Sequence, residues 1–313
     1  MHVVMKRVSK FGIFVGVFAA AVPAWADSVP NARSADWTWP AYIVLPLFAM
    51  AALYVFGIHK MLRKGARFRM LPAVCFGAGW LSLLIALDSP VHEISEQLFW
   101  VHMTQHEILM LISAPLLVLS QPLAPMLLAF PESWRGVLVD AGKARSVKSL
   151  WLLVSAPIAA WLLHALALWL WHAPLLFDAA LQSDFIHALQ HISFLGSALL
   201  FWWALLHKHG GRMGYGGAIL YVFTTAIHTG VLGAWLALSP HIWYPPYAHT
   251  AFLWGYTPLE DQQVGGLIMW IPAGTLLTIA ALVLLAKWLK HSDVRWEYTQ
   301  AAALMRASQG AAK

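Results

Sequence analysis

Residues 99–112, FWVHMTQHEILMLI, and residues 184–196, DFIHALQHISFLG, each place two histidines four positions apart at the start of a long apolar run. Residues four apart share one face of an α-helix about one turn apart. His102/His106 and His187/His191 can therefore each aim two imidazoles at one point, which is metal-ligand geometry. An ionisable side chain inside an apolar span is costly without a partner and marks a functional position by default. One such pair alone reads equally well as a hydrogen-bonded packing device; two of them together favour a metal or haem.

The surrounding composition sets the fold class. Hydrophobic residues make up 60% of the 313 and charged residues 11%, with 18 Trp, whereas soluble domains carry about 25% charged residues. Crossing about 30 Å of hydrocarbon takes roughly 20 apolar residues. Stretches of that kind run near residues 39–59, 70–88, 99–119, 149–171, 187–206, 215–238 and 265–289. Trp37, Trp39, Trp100, Trp151, Trp171, Trp243, Trp254 and Trp288 fall near their ends, as aromatic belts do at the two interfaces. The expected fold is all-α, a polytopic membrane helix bundle of about seven transmembrane helices.

Ahead of these spans, Lys6, Arg7 and Lys10 precede the apolar residues 11–22, followed by Ala24-Trp25-Ala26. These are the three parts of a cleavable signal peptide, with cleavage expected after Ala26; an uncleaved anchor is the alternative. The expected organisation is a signal peptide over 1–26, a seven-helix membrane domain over 27–291 and a cytoplasmic tail over 292–313.

Orientation follows from the basic residues. Lys60, Arg63, Lys64, Arg67 and Arg69 share the first inner loop, Arg135, Lys143, Arg145 and Lys148 the second, and Lys208 and Arg212 the third. Lys287, Lys290, Arg295, Arg306 and Lys313 fall in the tail, and only Arg33 is left for the outer side of the mature chain. The positive-inside rule then puts the mature amino terminus outside a bacterial inner (cell) membrane and the carboxyl terminus in the cytoplasm, as a multi-pass protein in contact with membrane lipid. The formal charge of +6 is accounted for by these flanks, and nucleic acid is not an expected partner.

This topology runs the third and fifth spans from outside to inside, so both His pairs lie in their first two turns at matched depth. His106 comes roughly 10 Å below the outer surface and His228, in the sixth span, roughly 15 Å, at 1.5 Å per residue. Five imidazoles can thus meet in one outward-facing cluster. Asp261, at the outer mouth of the seventh span, is expected either to complete the shell or to accept the second ring proton of a ligating His. Gly265-Gly266 beside it would admit a close neighbouring helix. Met103, Met110 and Met269 lie near the same level; thioether sulfur suits Cu(I), although Met at helical spacing is ordinarily core.

The other histidines read differently. His164 and His172, in the fourth span, suit supporting or interfacial roles, and His92, His241 and His249 lie in outer loops. Between the third and fourth spans, Pro122, Pro125 and Pro131 prevent one continuous helix, and residues 132–144 read as a short amphipathic surface helix or, equally, as an ordered loop. The outer connection PHIWYPPYAHTAFLWGYTPLEDQQVGG, rich in Pro and aromatic residues, reads as a folded lid or docking surface. Cys75 is the single cysteine, which excludes a CxxC chaperone site, a CxxCH haem attachment and an internal disulfide. There is no phosphate-binding glycine loop to support ATP-driven pumping.

Taken together, HMTQH followed by LMLISAPLLVLSQP, then HALQHISF, then PLEDQQVGGLIMW at the start of the seventh span, resemble the multi-span CtaG family of cytochrome c oxidase assembly factors. The resemblance covers nearly the whole mature chain, from about Trp39 to His291. The same name is used for an unrelated single-span copper chaperone with a cysteine pair, whose topology and cysteines are absent here. The resemblance implies a non-enzymatic role in maturing the terminal oxidase by supplying or handling copper, with oxidase subunits or other assembly factors as partners. The matching positions are His102, His106, His187, His191 and Asp261. From the residues alone, two contrasting readings stay open: a membrane metalloenzyme with a di-iron or zinc site that activates water or oxygen, and a haem b electron carrier.

The topology has a direct check. In a Cys75→Ser background, His249→Cys should react with a membrane-impermeant maleimide in intact spheroplasts, and Gly142→Cys only after lysis. The reverse pattern would invert the bundle.

Overall fold

The computed structural model describes residue 37 and residues 39–207 and 213–311. The expected signal peptide, and Lys208 and Arg212 of the third inner loop, lie outside the described residues. All regular elements among the described residues are helical. Among the described residues, six helices are long and apolar enough to cross a membrane: Ala41–Arg63, Met70–Asp88, Phe99–Ser120, Asp184–Leu206, Gly214–Leu238 and Pro258–Ser292. A bent pair, Arg145–Val154 and Pro157–Trp171, supplies a seventh if it forms one span. We number these as the first to seventh spans in chain order, with the bent pair as the fourth.

The fourth span departs from the expected single helix over 149–171. Its halves meet at 68°, and Ala156, just before Pro157, is extended at φ −64° and ψ 139°. A proline ring disfavours helical backbone in the residue before it, so the helix stops and restarts. The third span is interrupted more gently: after Phe99–Glu107 comes a π-helical turn, Ile108–Ser113, and then Ala114–Ser120. Pro115 has no N–H and its ring crowds the carbonyl four residues back, which disfavours regular α pairing in the turn above it. Within this π turn the Met110 carbonyl accepts a hydrogen bond from Trp202 Nε1 of the fifth span at 2.9 Å. A backbone group released inside hydrocarbon is thereby satisfied by a neighbour.

Two short helices close the His-bearing end of the bundle. Pro90–Ser95 is capped by Ser89, whose Oγ accepts from Val91 N at 3.1 Å, with Pro90 in the first turn where a missing N–H costs nothing. Pro174–Gln182 joins the fourth and fifth spans and buries Phe177. Glu132–Lys143 is a helix, and its Trp134 and Val137 stay 66% and 70% exposed, unused by the protein's own core.

The connection between the sixth and seventh spans is folded, as expected. It forms two 3-10 turns, Pro245–Ala248 and Ala251–Trp254, and buries Tyr244, Tyr247 and Ala251. The seventh span holds it in place. Gln262 accepts from Trp243 N at 2.6 Å and donates to His241 O at 3.0 Å, and Gln263 donates to Ser239 O at 3.3 Å.

The sixth and seventh spans approach closely where glycines face each other. A Cβ on Gly266 would collide with the Ala237 N and Gly233 O of the sixth span, and one on Gly265 with the Phe99 ring of the third. A Cβ on Gly274 would meet nothing within 4 Å. Inserting a methyl against backbone atoms costs about 1–3 kcal/mol, so Gly266→Ala should lower the thermal unfolding midpoint in detergent. Gly274→Ala should leave it unchanged or raise it, since Ala is the better helix former.

Candidate metal centre

The third and fifth spans bring four of the expected imidazoles together. His102 and His106 are 0% and 1% exposed, His187 and His191 7% and 8%. Ring centroids lie 4.4 Å apart for His102–His106, 4.3 Å for His187–His191, 5.1 Å for His102–His187 and 5.4 Å for His106–His191. One ring nitrogen from each of His102, His106 and His191 falls within 4.8 Å of the other two. Imidazoles bound to one ion at about 2.0–2.1 Å hold their centroids roughly 5–6 Å apart, so these rings stand near liganding separation.

Hydrogen bonding shows which nitrogens are available. Tyr247 has one hydroxyl proton and donates it to Ser95 O at 3.0 Å. Its oxygen, 3.1 Å from His102 Nδ1, must then accept from that nitrogen, which leaves the lone pair on Nε2. Burial first, then Asp261, pushes the Tyr247 phenol well above its usual range, so the hydroxyl keeps this proton. His102 Nε2, both nitrogens of His106, His187 Nε2 and His191 Nε2 are buried without a partner. Buried polar atoms almost always find hydrogen bonds. A cluster of orphaned imidazole nitrogens in one place is what a cation site presents when its donors await an ion.

Two further histidines join the group. His172, at the outer end of the fourth span, donates from Nδ1 to Leu168 O at 2.7 Å. Its Nε2 is therefore a buried lone pair without a partner, and its ring lies 6.3 Å from that of His106. His92 stacks 5.6 Å from His187, and its Nδ1 lies 3.1 Å from Gln105 Nε2. Both were placed in supporting or loop roles by sequence position. For His172, a signal was present in its depth, since it closes a span that ends on the same outer side.

Two expectations are corrected by the geometry. His228 packs against Trp161, with ring centroids 5.3 Å apart, and neighbours His164 closely enough to interact with it electrostatically. It is not among the histidines whose ring nitrogens converge, and depth alone does not determine which way a helix face points. Asp261 meets no ring nitrogen. Its two oxygens accept from Phe99 N at 2.8 Å and Trp100 N at 3.0 Å, so it caps the helix that carries His102 and His106. Of the methionines, Met103 is fully buried and packs with Phe99, whereas Met110 and Met269 line a separate cavity.

The donor set fits a transition-metal ion. Three or four neutral imidazoles suit copper, zinc or iron. A porphyrin fits poorly, because the rings pack on one another and on Phe177 and Phe194, at 5.1 Å from His102 and 4.6 Å from His106. A macrocycle would have to part the third and fifth spans.

Similar proteins give this arrangement a family. An uncharacterized protein of Mycobacterium bovis is 24% identical over 265 residues, which cover 82% of this chain and 40% of that protein. One of Mycobacterium tuberculosis has the same identity and coverage, and one of Mycobacterium leprae is 23% identical over 268 residues. The chain thus spans 40% of the length of these relatives. No solved structure matches. The family model described as cytochrome c oxidase caa3 assembly factor matches residues 52–291, which include the third, fifth and seventh spans and so both His pairs and Asp261. By that match, the chain belongs to the cytochrome c oxidase caa3 assembly factor family.

Proposed function

We propose that this protein supports assembly of cytochrome c oxidase by holding copper on the outer side of the cell membrane and passing it to an oxidase subunit or to another assembly factor. His102, His106 and His191 hold the ion, and His187 and His172 stand beside them as alternative ligands during exchange. The observation that carries this reading is the set of three buried ring nitrogens within 4.8 Å of one another, orphaned inside an apolar bundle. Imidazole accepts both common copper states, as a carrier requires.

The roles of the remaining residues follow from their bonds. Tyr247 fixes the His102 tautomer with Nε2 free, an outer partner of the kind whose loss costs 10 to 100-fold in metal affinity. Because Tyr247 belongs to the outer connection, the lid and the site are mechanically joined. A client that displaces the lid would release His102 from its fixed orientation and loosen the ion. The Tyr244 hydroxyl, which donates to His172 O at 2.9 Å, ties the same lid to the fourth span.

Metal analysis of the purified protein tests the site. His106→Ala should reduce stoichiometric copper to background, and His228→Ala should leave it unchanged. Tyr247→Phe should keep stoichiometry at saturating metal while weakening affinity about 10 to 100-fold. Full copper retention after replacement of His102, His106 and His191 together would refute the site.

In cells, deletion should lower copper-loaded oxidase activity, and the His106→Ala form should fail to restore it. Normal oxidase metal content in a deletion strain without a covering paralogue would refute the assembly role.

A further inference from the structure

Beneath the His cluster, bounded by the third to seventh spans, lies a cavity of about 20 Å³ whose lining includes Glu107, Met110, His164, Thr225, Thr229 and Met269. About 10–15 Å³ suffices for one water-sized occupant, so the space admits a single small ion. Its polar lining is one-sided. Ser197 Oγ donates to Phe194 O at 3.2 Å and so accepts from His164 Nδ1 at 3.1 Å, which leaves the lone pair of the 7% exposed His164 on Nε2. Thr225 and Thr229 spend their hydroxyl protons on Tyr221 O and Thr225 O, at 2.8 and 2.9 Å. Glu107 Oε2 is buried without a partner. Electron-pair donors therefore face a space where these imidazole and hydroxyl protons are already committed elsewhere, which is the lining of a cation site.

We propose that this cavity is a second metal site, separate from the His cluster, which takes one Cu(I) ion on His164 Nε2 and the thioethers of Met110 and Met269, with Glu107 balancing its charge. Thioether sulfur selects Cu(I), whereas Mg²⁺ and Ca²⁺ require shells of oxygen. One carboxylate matches one positive charge, and a neutral pair in hydrocarbon costs far less than either ion alone. The two sites are also adjacent along the chain. Met110 is four residues past His106, about 6 Å further along the helix axis, and it sits within the π turn that begins at Ile108. An ion leaving the outer cluster finds its next donor set about one turn deeper. The inference stands on the donors of the cavity itself and does not need the outer cluster to bind metal.

Anaerobic Cu(I) titration of the full-length protein in nanodiscs, against a competing Cu(I) chelator and read with X-ray absorption, tests it. The wild-type spectrum should contain a sulfur scatterer. The Met110→Leu/Met269→Leu double variant, near volume-conserving and so expected to fold, should lose that scatterer and one equivalent of Cu(I). The His102→Ala/His106→Ala variant should keep the sulfur signature while losing the nitrogen-ligated equivalent. His164→Ala should weaken the sulfur-containing equivalent by more than about 100-fold, beyond the loss typical of an outer partner. If the outer cluster binds nothing, the wild-type protein should show one sulfur-containing equivalent that the double His variant leaves intact, which would refute the outer site and support this one. A wild-type spectrum without sulfur, or an unchanged stoichiometry and spectrum in the methionine double variant, overturns the proposal.

Discussion

The carboxylate of Asp261 bonded to the first two backbone N–H groups of the third span is the contact on which the candidate centre depends. A helix leaves its first four N–H groups without intrahelical partners, and inside a packed bundle water is not there to take them. Asp261 is 0% exposed and meets two of these groups from a helix 161 residues away in the chain. Hydrogen bonds to charged groups contribute about 1.5–3 kcal/mol each, and an acid at a helix N-terminus also opposes the helix dipole favourably. The larger consequence is geometric. His102 comes three residues after the capped Phe99, so the cap fixes both the rotation and the height of the helix face that carries the His pair. Gly265 acts on the same junction, because only a residue without Cβ lets the Phe99 ring lie against the seventh span.

Around that junction, the block Glu260-Asp261-Gln262-Gln263 divides its work. Glu260 caps its own helix through Thr257, with Oε2 accepting from Thr257 N at 2.9 Å. Asp261 holds the third span, and the two glutamines hold the lid. Four helix-borne side chains in sequence therefore couple the lid, the His-bearing helix and the start of the seventh span. The lid closes this loop of constraints when Tyr247 reaches both Ser95 and His102. The imidazoles are thus positioned by neighbours that do not themselves offer a ligand.

Much of this was legible in the sequence. Apolar length located the spans, since hydrophobic thickness leaves little freedom, with ends off by up to seven residues, and the i, i+4 spacing identified the two pairs that meet. The misreadings share one cause. Depth arithmetic gives a position along a helix and says nothing of rotation about it, so His228 was expected among nitrogens that converge from His102, His106 and His191, while His172 was given a supporting or interfacial role. Asp261 was expected to serve an imidazole because a sequence displays side chains and hides the backbone N–H groups that compete for them. The break in the fourth span was legible in Pro157 and was outweighed by the length of the apolar run around it.

The third span draws these strands together. Its first turns are regular, capped by Asp261, and present His102 and His106 on one face; its next six residues are π-helical. A π turn widens the helix and re-aims the side chains that follow, and such turns recur at functional sites. Here it begins just past His106 and carries Met110, which lines the inner cavity, so one helix can serve donor sets that a straight α-helix would hold at a fixed angle to each other. The weakened backbone ladder has its freed carbonyl at Met110 bonded by Trp202, which anchors the irregular turn to the fifth span, the same helix that supplies His187 and His191. Both faces of the candidate centre are therefore referenced to one helix pair, and a displacement of the third span against the fifth would alter the outer cluster and the inner cavity together.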